Sequence, residues 1–335
     1  MVLSSNRFNV TYGTGLSVEL LNSTKSYALV TQPEPWRLVR SEIRNPPKRI
    51  IMAGDLSLES LDAFAASVDE EMVIGLGGGT AMDTAKWIHW RREIPLKQIP
   101  SLPSVDASFT RMSATRTEGG VQYLGDAIPE MVYVDYGLFR SAPKHMVTSG
   151  IGDVLSCLTA SFDWRLSAEA RQDEYGWTKE MALISDDYLE ELLDCAEGIS
   201  KLTDDGLRRL MELHRDIGWR CHEMGHARFE EGSEHFFAYA FEHFTKKSVL
   251  HGELVTLGVL LMSHFQGNNV GLARDIVSRC DTRHSISEMN ITEEDILHTL
   301  RELPEFTVQQ GHWYSIARFI DPLDINREVL AALNW

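Results

Sequence analysis

MVIGLGGGTAMDTAKW, residues 72–87, decides the architecture. It runs from a hydrophobic, β-branched stretch through Gly77, Gly78, Gly79 and Thr80 into a helix-forming segment that carries Asp83 and Lys86. A strand, a glycine turn and a helix in immediate succession form an α/β unit. Glycines let a backbone approach a ligand closely, and the amides that open a helix lack internal acceptors, so this turn can hold a pyrophosphate. The spacing is neither G-x-G-x-x-G nor G-x-x-x-x-G-K-[ST], so the two common nucleotide patterns do not apply directly. A tight strand-to-helix turn without a ligand stays open.

Three further β-branched runs lie in the N-terminal part: YALVT at 27–31, RIIMAG at 49–54 and MVYVD at 131–135. Alternating with turn-rich or amphipathic segments, they have the rhythm of a parallel sheet. The segment SLESLDAFAASVDE, 57–70, sets Leu58, Leu61, Phe64, Ala65 and Val68 at helical spacing behind Ser57, a candidate cap, and predicts a crossover helix. From Ser141 onward, helical patterns rich in Leu, Ala, Glu and His replace the strand-like runs. Pro143, Ser149 and Gly150 supply turn chemistry where the two regimes meet. The expected fold is an α/β N-terminal Rossmann-like domain with a parallel sheet over 1–144, then an all-α C-terminal domain over 145–335, with the active site in the cleft between them.

At 335 residues the chain exceeds the size that one hydrophobic core usually serves, which favours two domains. Its 43% hydrophobic and 24% charged residues are those of an ordinary globular protein. A formal net charge of -17 would repel a phosphate backbone, and the pairs Arg91-Arg92, Arg208-Arg209 and Lys246-Lys247 are isolated, so nucleic acid is not an expected partner. No stretch approaches the ~18 apolar residues of a membrane span, and the start MVLSSNRFNV lacks a basic head before an apolar core. A cytoplasmic protein is expected. Cys157, Cys195, Cys221 and Cys280 show no C-x-x-C spacing, so reduced thiols are expected rather than a zinc knuckle or disulfides. The expected partner is a small-molecule substrate and the expected assembly a homo-oligomer.

In an open α/β sheet a nucleotide lies beyond the carboxyl ends of the strands, and an acid after the second strand commonly binds the ribose hydroxyls. Gln32 stands at that place here, and its neutral side chain would not repel a 2'-phosphate, so NADP is permitted beside NAD. Arg37 follows nearby and reads as a surface residue.

The helical half holds SGIGDVLS with Asp153, GSEHFFAYAFEH with His235, and VLHGELVTLG with His251. Two imidazoles and a carboxylate with an open fourth position suit a catalytic Zn²⁺ or Fe²⁺. Spacing alone does not join them, because three helices would have to converge, and each histidine taken singly reads equally as a core residue. His222-Glu223-Met224-Gly225-His226 matches H-E-x-x-H and offers a zinc metalloprotease as an alternative of another class. Gly225 inside that motif weakens a helix, and a glycine cradle has no task in a protease.

Together these segments resemble the superfamily of iron-type alcohol dehydrogenases, glycerol dehydrogenases and glycerol-1-phosphate dehydrogenases, with 3-dehydroquinate synthase a more distant relation. GGGTAMDTAK looks like the family's cofactor loop, IPSLPSVDASFT (99–110) like its nicotinamide and substrate segment, and GIGDVLS, GSEH and HGE like its three metal-ligand sites. The resemblance implies an NAD or NADP cofactor and one divalent metal, zinc foremost with iron or nickel as alternatives. It assigns the metal to Asp153, His235 and His251. Gly77, Gly78, Gly79, Thr80, Asp83, Ser101, Ser104 and Thr110 become the cofactor side, with Gln32 beside them. Asp106 matches the acid that faces the polyol. Arg116 stands where a glycerol dehydrogenase has an aromatic residue, and could grip a phosphate or face solvent. The metal would polarise the substrate oxygen while the nicotinamide moves a hydride, with His243 or His226 as candidates to carry the proton or as plain structural residues.

GSEH, HGE and Asp163-Trp164 are more similar to the glycerol-1-phosphate branch, which implies a phosphorylated or otherwise polar polyol. An NAD-using sugar-phosphate cyclase is the alternative within the superfamily. It is disfavoured because Asp153 stands where that enzyme has glutamate, and because its paired-histidine motif is missing. A non-catalytic scaffold keeping the same fold is the remaining class.

Overall fold

The structure is a computed structural model and describes residues 8–117, 120–321 and 325. The chain packs as two compact units, one running up to Val147 and including His214–His222, the other made of Thr148–Leu213 and the chain from Glu223 onward.

The first unit carries strands β1 (Val10–Gly13), β2 (Ala28–Thr31), β3 (Arg49–Met52), β4 (Val73–Gly77), β5 (Leu96–Pro100), β6 (Ser113–Thr117), β7 (Gly120–Leu124) and β8 (Met131–Asp135). Its helices are α1 (Leu16–Ser23), α2 (Pro33–Val39), α3 (Leu58–Ser67), α4 (Gly79–Arg92) and α5 (Tyr136–Ser141). Six strands form one sheet in the order β1-β8-β5-β4-β2-β3, parallel throughout. β6 and β7 form a separate antiparallel hairpin.

Parallel strands covered by helices on both faces need apolar side chains on both. Along β2 and β4, Ala28, Val30 and Val73 point to one face, against Leu61 and Ala65 of α3 and Ala81, Met82, Ala85 and Ile88 of α4. Leu29, Ile74 and Leu76 point to the other, against Leu20 and Leu21 of α1 and Leu138 of α5. Each of the valines, leucines, isoleucines and methionine among these contributes about 1.5–3 kcal/mol through burial. Gly75 lets α4 lie directly on β4, since a Cβ there would sit 3.0 Å from the Ala85 Cβ. Ser57 caps α3 as expected, accepting the Ser60 amide at 3.3 Å.

Two sheet strands and the hairpin went unforeseen in the sequence. β5 reads LKQIP, with polar residues at its centre, yet Gln98 is fully buried and its Nε2 donates to the Met82 carbonyl at 3.3 Å. A central strand normally lacks such a residue, and the helix carbonyl offsets part of the cost of its burial, the Oε1 atom being buried without a hydrogen-bond partner among the described residues.

α6 (Lys144–Thr148) leads into the second unit, which holds α7 (Ile151–Leu155), α8 (Cys157–Glu169), α9 (Lys179–Ser200), α10 (Asp204–Met224), α11 (Ser233–Thr245), α12 (His251–Gln266), α13 (Val270–Cys280) and α14 (Glu293–Gln309). Nine residues of α10, His214–His222, belong to the first unit. No described residue after Asp135 lies in a strand. α12 is buried on every side from Gly252 to Ser263, as befits the central helix of a bundle. No helix among the described residues is long and apolar enough to cross a membrane.

After α14, His312 stacks on Phe236 of α11, with ring centroids 4.5 Å apart and planes within 7°. Its Nε2 is buried without a hydrogen-bond partner among the described residues. Burial, helped by nearby Arg318, pushes the imidazole from the ordinary 6.5 down to about 4. The unfolded chain takes up this proton at higher pH than the folded one. The stability given by the neutral ring is therefore complete above the unfolded value and lost as pH falls through the folded one, roughly 3 kcal/mol in all. His312→Phe keeps the stack and removes the titration. Its melting temperature should fall less steeply than that of the wild type between about pH 7 and about pH 4.

Candidate metal centre and glycine cradle

Asp153, His235 and His251 sit on α7, α11 and α12 of the second unit. Glycines beside the ligands bring these helices into backbone contact. A Cβ on Gly152 would lie 2.5 Å from the Gly252 carbonyl oxygen, and one on Gly258 would lie 2.6 Å from the Glu234 carbonyl oxygen. Only hydrogen fits at either place. The small residues next to Asp153 and His251 are thus what lets three sequence-distant helices present side chains to one point.

Asp153 Oδ1 lies 3.8 Å from His235 Nε2 and 3.5 Å from His251 Nε2. One donor atom from each residue falls within 4.8 Å of the others, and this is the one such group among the described residues. Donors about 2.05 Å from one tetrahedral ion lie about 3.4 Å apart, so both carboxylate–imidazole distances are within a few tenths of an ångström of what one divalent ion requires. Asp153 and His235 are buried, while the His251 side chain is 27% exposed. Burial alone would raise the Asp153 carboxyl, but the two imidazoles outweigh it and hold the group below the usual carboxylate range. Burial likewise opposes the charged form of His235, and the carboxylates of Asp153 and Glu234 beside it overcome this, raising the ring well above its ordinary value. The anionic pocket therefore attracts a cation, and metal binding would displace a proton.

Around the ligands, Glu234 accepts from His235 Nδ1 at 2.9 Å, from the Gly232 amide at 2.6 Å and from the Thr159 hydroxyl at 2.7 Å. Asp163 accepts the Ser233 amide at 2.9 Å and the Ile316 amide at 2.8 Å, pinning the start of α11. Tyr239 donates to Glu231 at 2.8 Å. None of these supporting roles was foreseen, although Glu234 and Asp163 lie inside motifs quoted above. A carboxylate in a helix's first turn ordinarily faces solvent.

Gly152→Ala would force α7 away from α12 and so separate Asp153 from His251. We expect metal affinity to weaken about tenfold or more, measured by chelator competition. Gly271→Ala, with open space where its Cβ would stand, should leave affinity unchanged.

In the first unit, the neighbouring strands β2, β4 and β5 end together, with Thr31 paired to Leu76 and Gly77 to Pro100. Their carboxyl ends bring Gln32, the glycine turn and Ser101 side by side. Gln32 Oε1 accepts the Gly78 amide at 2.8 Å, and the Ser101 amide donates to the Gly77 carbonyl at 2.7 Å. A Cβ on Gly77 would meet the Ala81 Cβ and Gln32 Oε1 at 2.7 Å, and one on Gly79 would meet Val105 Cγ1 at 2.9 Å. Gly78, Gly79 and Thr80 remain partly accessible at the helix start. Ser104 and Asp106 are buried, and the Asp106 carbonyl accepts the Phe109 amide at 2.7 Å.

Asp83 and Thr110 turn inward to Lys86. The fully buried Lys86 ammonium lies 2.8 Å from Asp83 Oδ1 and donates to Thr110 Oγ1 at 2.8 Å and the Met112 carbonyl at 2.6 Å. Arg116, on β6, is exposed. Burial raises the Asp83 carboxyl, although Lys86 and a backbone hydrogen bond from Ala114 oppose the rise.

The metalloprotease spacing makes no site. α10 ends at Met224, Gly225 takes φ 75°, and the i,i+4 face that H-E-x-x-H needs is not formed. Arg111 approaches His222 Nδ1 at 3.3 Å, whereas His226 packs on Tyr175 and Trp164 with centroids 4.2 Å and 5.2 Å away. His243 packs against Phe244 and Phe306.

Residues 23–143 match the family described as iron-containing alcohol dehydrogenase. The chain is 31% identical over 294 residues to the glycerol-1-phosphate dehydrogenase [NAD(P)+] of Sulfurisphaera tokodaii, covering 84% of this chain and 81% of that one. It is 31% identical over 253 residues to the enzyme of the same name from Sulfolobus acidocaldarius, covering 75% and 71%. Among solved structures, a probable glycerol dehydrogenase from Sinorhizobium meliloti 1021 superposes with a TM-score of 0.73 at 17% identity, covering 97% of this chain and 96% of that one. The glycerol dehydrogenase of Schizosaccharomyces pombe gives 0.69 at 19% identity, covering 98% and 92%. These two show a shared fold.

Proposed function

This chain belongs to the superfamily of iron-type alcohol, glycerol and glycerol-1-phosphate dehydrogenases, and from that premise we propose that it interconverts a small polar polyol and its ketone or aldehyde. The hydride would pass to or from NAD or NADP with help from one divalent metal. The convergence of Asp153, His235 and His251 on one point carries this reading. We read residues 1–144 as the dinucleotide-binding domain and 145–335 as the metal-binding domain, each holding its share of the chemistry.

The bound metal supplies Lewis acidity at the substrate oxygen, and the nicotinamide supplies or accepts the hydride. The chain's own groups place both. Asp153 Oδ1 and the two Nε2 atoms would hold the ion. Amides at Gly78, Gly79 and Thr80 take the pyrophosphate at the start of α4. For the Gly78 amide, a phosphate oxygen must take the place of Gln32 Oε1, freeing that neutral amide to meet a ribose hydroxyl or a 2'-phosphate alike. Asp106 is assigned to orient the polyol hydroxyl. Asp83 and Thr110 act through Lys86 to fix the segment that carries Asp106, and need not touch the cofactor. Two imidazoles and one carboxylate as donors would suit zinc best, with iron and nickel accepting the same donor chemistry.

The glycerol-1-phosphate dehydrogenases among the relatives favour a phosphorylated three-carbon substrate, and the four free thiols favour a reducing, cytoplasmic setting. The test is oxidation of NADH and NADPH by metal-loaded protein with dihydroxyacetone phosphate, dihydroxyacetone and a panel of small aldehydes. We expect chelator-sensitive turnover, with the highest kcat/KM for the phosphorylated ketone. Cofactor binding without turnover of any carbonyl would defeat the reading and point to a cyclase that returns its NAD.

A further inference from the structure

We propose that Glu234 is a positioning residue whose carboxylate fixes the tautomer and the aim of His235. The inference rests on the metal-dependent reading above and goes beyond the three ligands themselves. Glu234 is the second residue of α11 and has no exposed surface. A carboxylate taken wholly out of water is tolerable only when donors meet its oxygens. Here Oε1 receives the Gly232 amide and His235 Nδ1, while Oε2 receives the Thr159 hydroxyl.

Glu234 is held from two sides independently of the histidine, so it acts as a fixed acceptor to which the ring must conform. An ionised carboxylate can only accept, so the proton in this bond sits on Nδ1 of His235. Nε2 then carries the lone pair and faces Asp153 Oδ1, 3.8 Å away, where the ion would bind. The carboxylate also adds negative charge behind the ring, which makes Nε2 a stronger donor. His251 has no such support, since no protein group among the described residues accepts from its Nδ1. The two histidines are therefore unequal, His235 being held at both ring nitrogens and His251 facing Asp153 through Nε2 alone.

The test uses Glu234→Gln, which keeps the shape and neutralises the charge, and Glu234→Leu, which removes the acceptor. Zinc affinity is measured by competition with a chromogenic chelator, and the protonated nitrogen of His235 is read by 15N-imidazole NMR of the zinc-loaded protein. We expect affinity to fall about tenfold in E234Q and about a hundredfold in E234L, with wild-type His235 protonated at Nδ1. If E234L does not fold, E234Q carries the test alone. E234Q affinity within twofold of wild type, or His235 protonated at Nε2, would overturn the inference. Wild-type protein that binds no zinc, iron or nickel would instead overturn the metal-dependent reading on which it rests.

Discussion

Asp153→Asn should yield a folded protein that retains little metal after dialysis and turns over at least about a thousandfold more slowly than wild type. Asparagine keeps the volume of the side chain but removes the one anionic ligand. Asp153 is also the group against which both imidazoles are arranged, at 3.8 Å and 3.5 Å, so its loss weakens the aim of the two histidine donors as well. Some thermal stability should go with it, because the wild-type carboxylate gains from those two rings what burial costs it. His251→Ala separates the two effects. That side chain is partly exposed at the first turn of α12, so the fold should survive while metal content and turnover collapse together. Metal per chain by elemental analysis, together with kcat and the melting temperature, checks both variants. Near wild-type turnover in H251A would remove the metal assignment.

The largest loss of stability should follow Lys86→Met. The Lys86–Asp83 pair is buried, and removing one member of such a pair leaves the other charged and unsolvated, at a cost of about 3–5 kcal/mol. The same substitution releases Thr110 and Met112, so the loop that carries Asp106 loses its anchor on α4. We expect early denaturant unfolding together with a raised KM for the dinucleotide. Combining Lys86→Met with Asp83→Leu removes both charges and should restore most of the stability but not the KM. That split distinguishes positioning by the lysine from simple packing. If the double variant were no more stable than K86M, the uncompensated charge would not be the cause.

Sequence and structure meet most closely where one short segment decides everything. The run from Met72 to Trp87 forms β4, a glycine turn and α4 as read, because each piece is specified locally by β-branched residues, by glycine and by helix formers. The convergence of Asp153, His235 and His251 was readable as a set of motifs, but its physical basis was not. That basis is the hydrogen-only contacts of Gly152 with Gly252 and of Gly258 with Glu234, which exist only once three helices have packed. Glu234 and Lys86 were obscured for a related reason. A glutamate in a helix's first turn and an Asp-Lys pair at i,i+3 ordinarily lie on solvated faces, and only tertiary packing buries them here. β5 escaped notice because Gln98 interrupts its apolar run, and only its Nε2 finds a partner, a carbonyl of the preceding helix. The H-E-x-x-H match misled in the opposite direction, since a helix end at Met224 cancels a spacing that sequence alone presents as continuous.

The central claim is that turnover of a small polar carbonyl depends on an ion held by Asp153, His235 and His251. It is tested most directly in a single cuvette, by following NADPH or NADH oxidation with dihydroxyacetone phosphate before chelation, after chelation and after zinc is restored. Activity that vanishes with the chelator and returns with the metal in wild type, and returns in neither D153N nor H251A, is the expected result. Turnover that continues unchanged after complete removal of metal, confirmed by elemental analysis of the same sample, would contradict it.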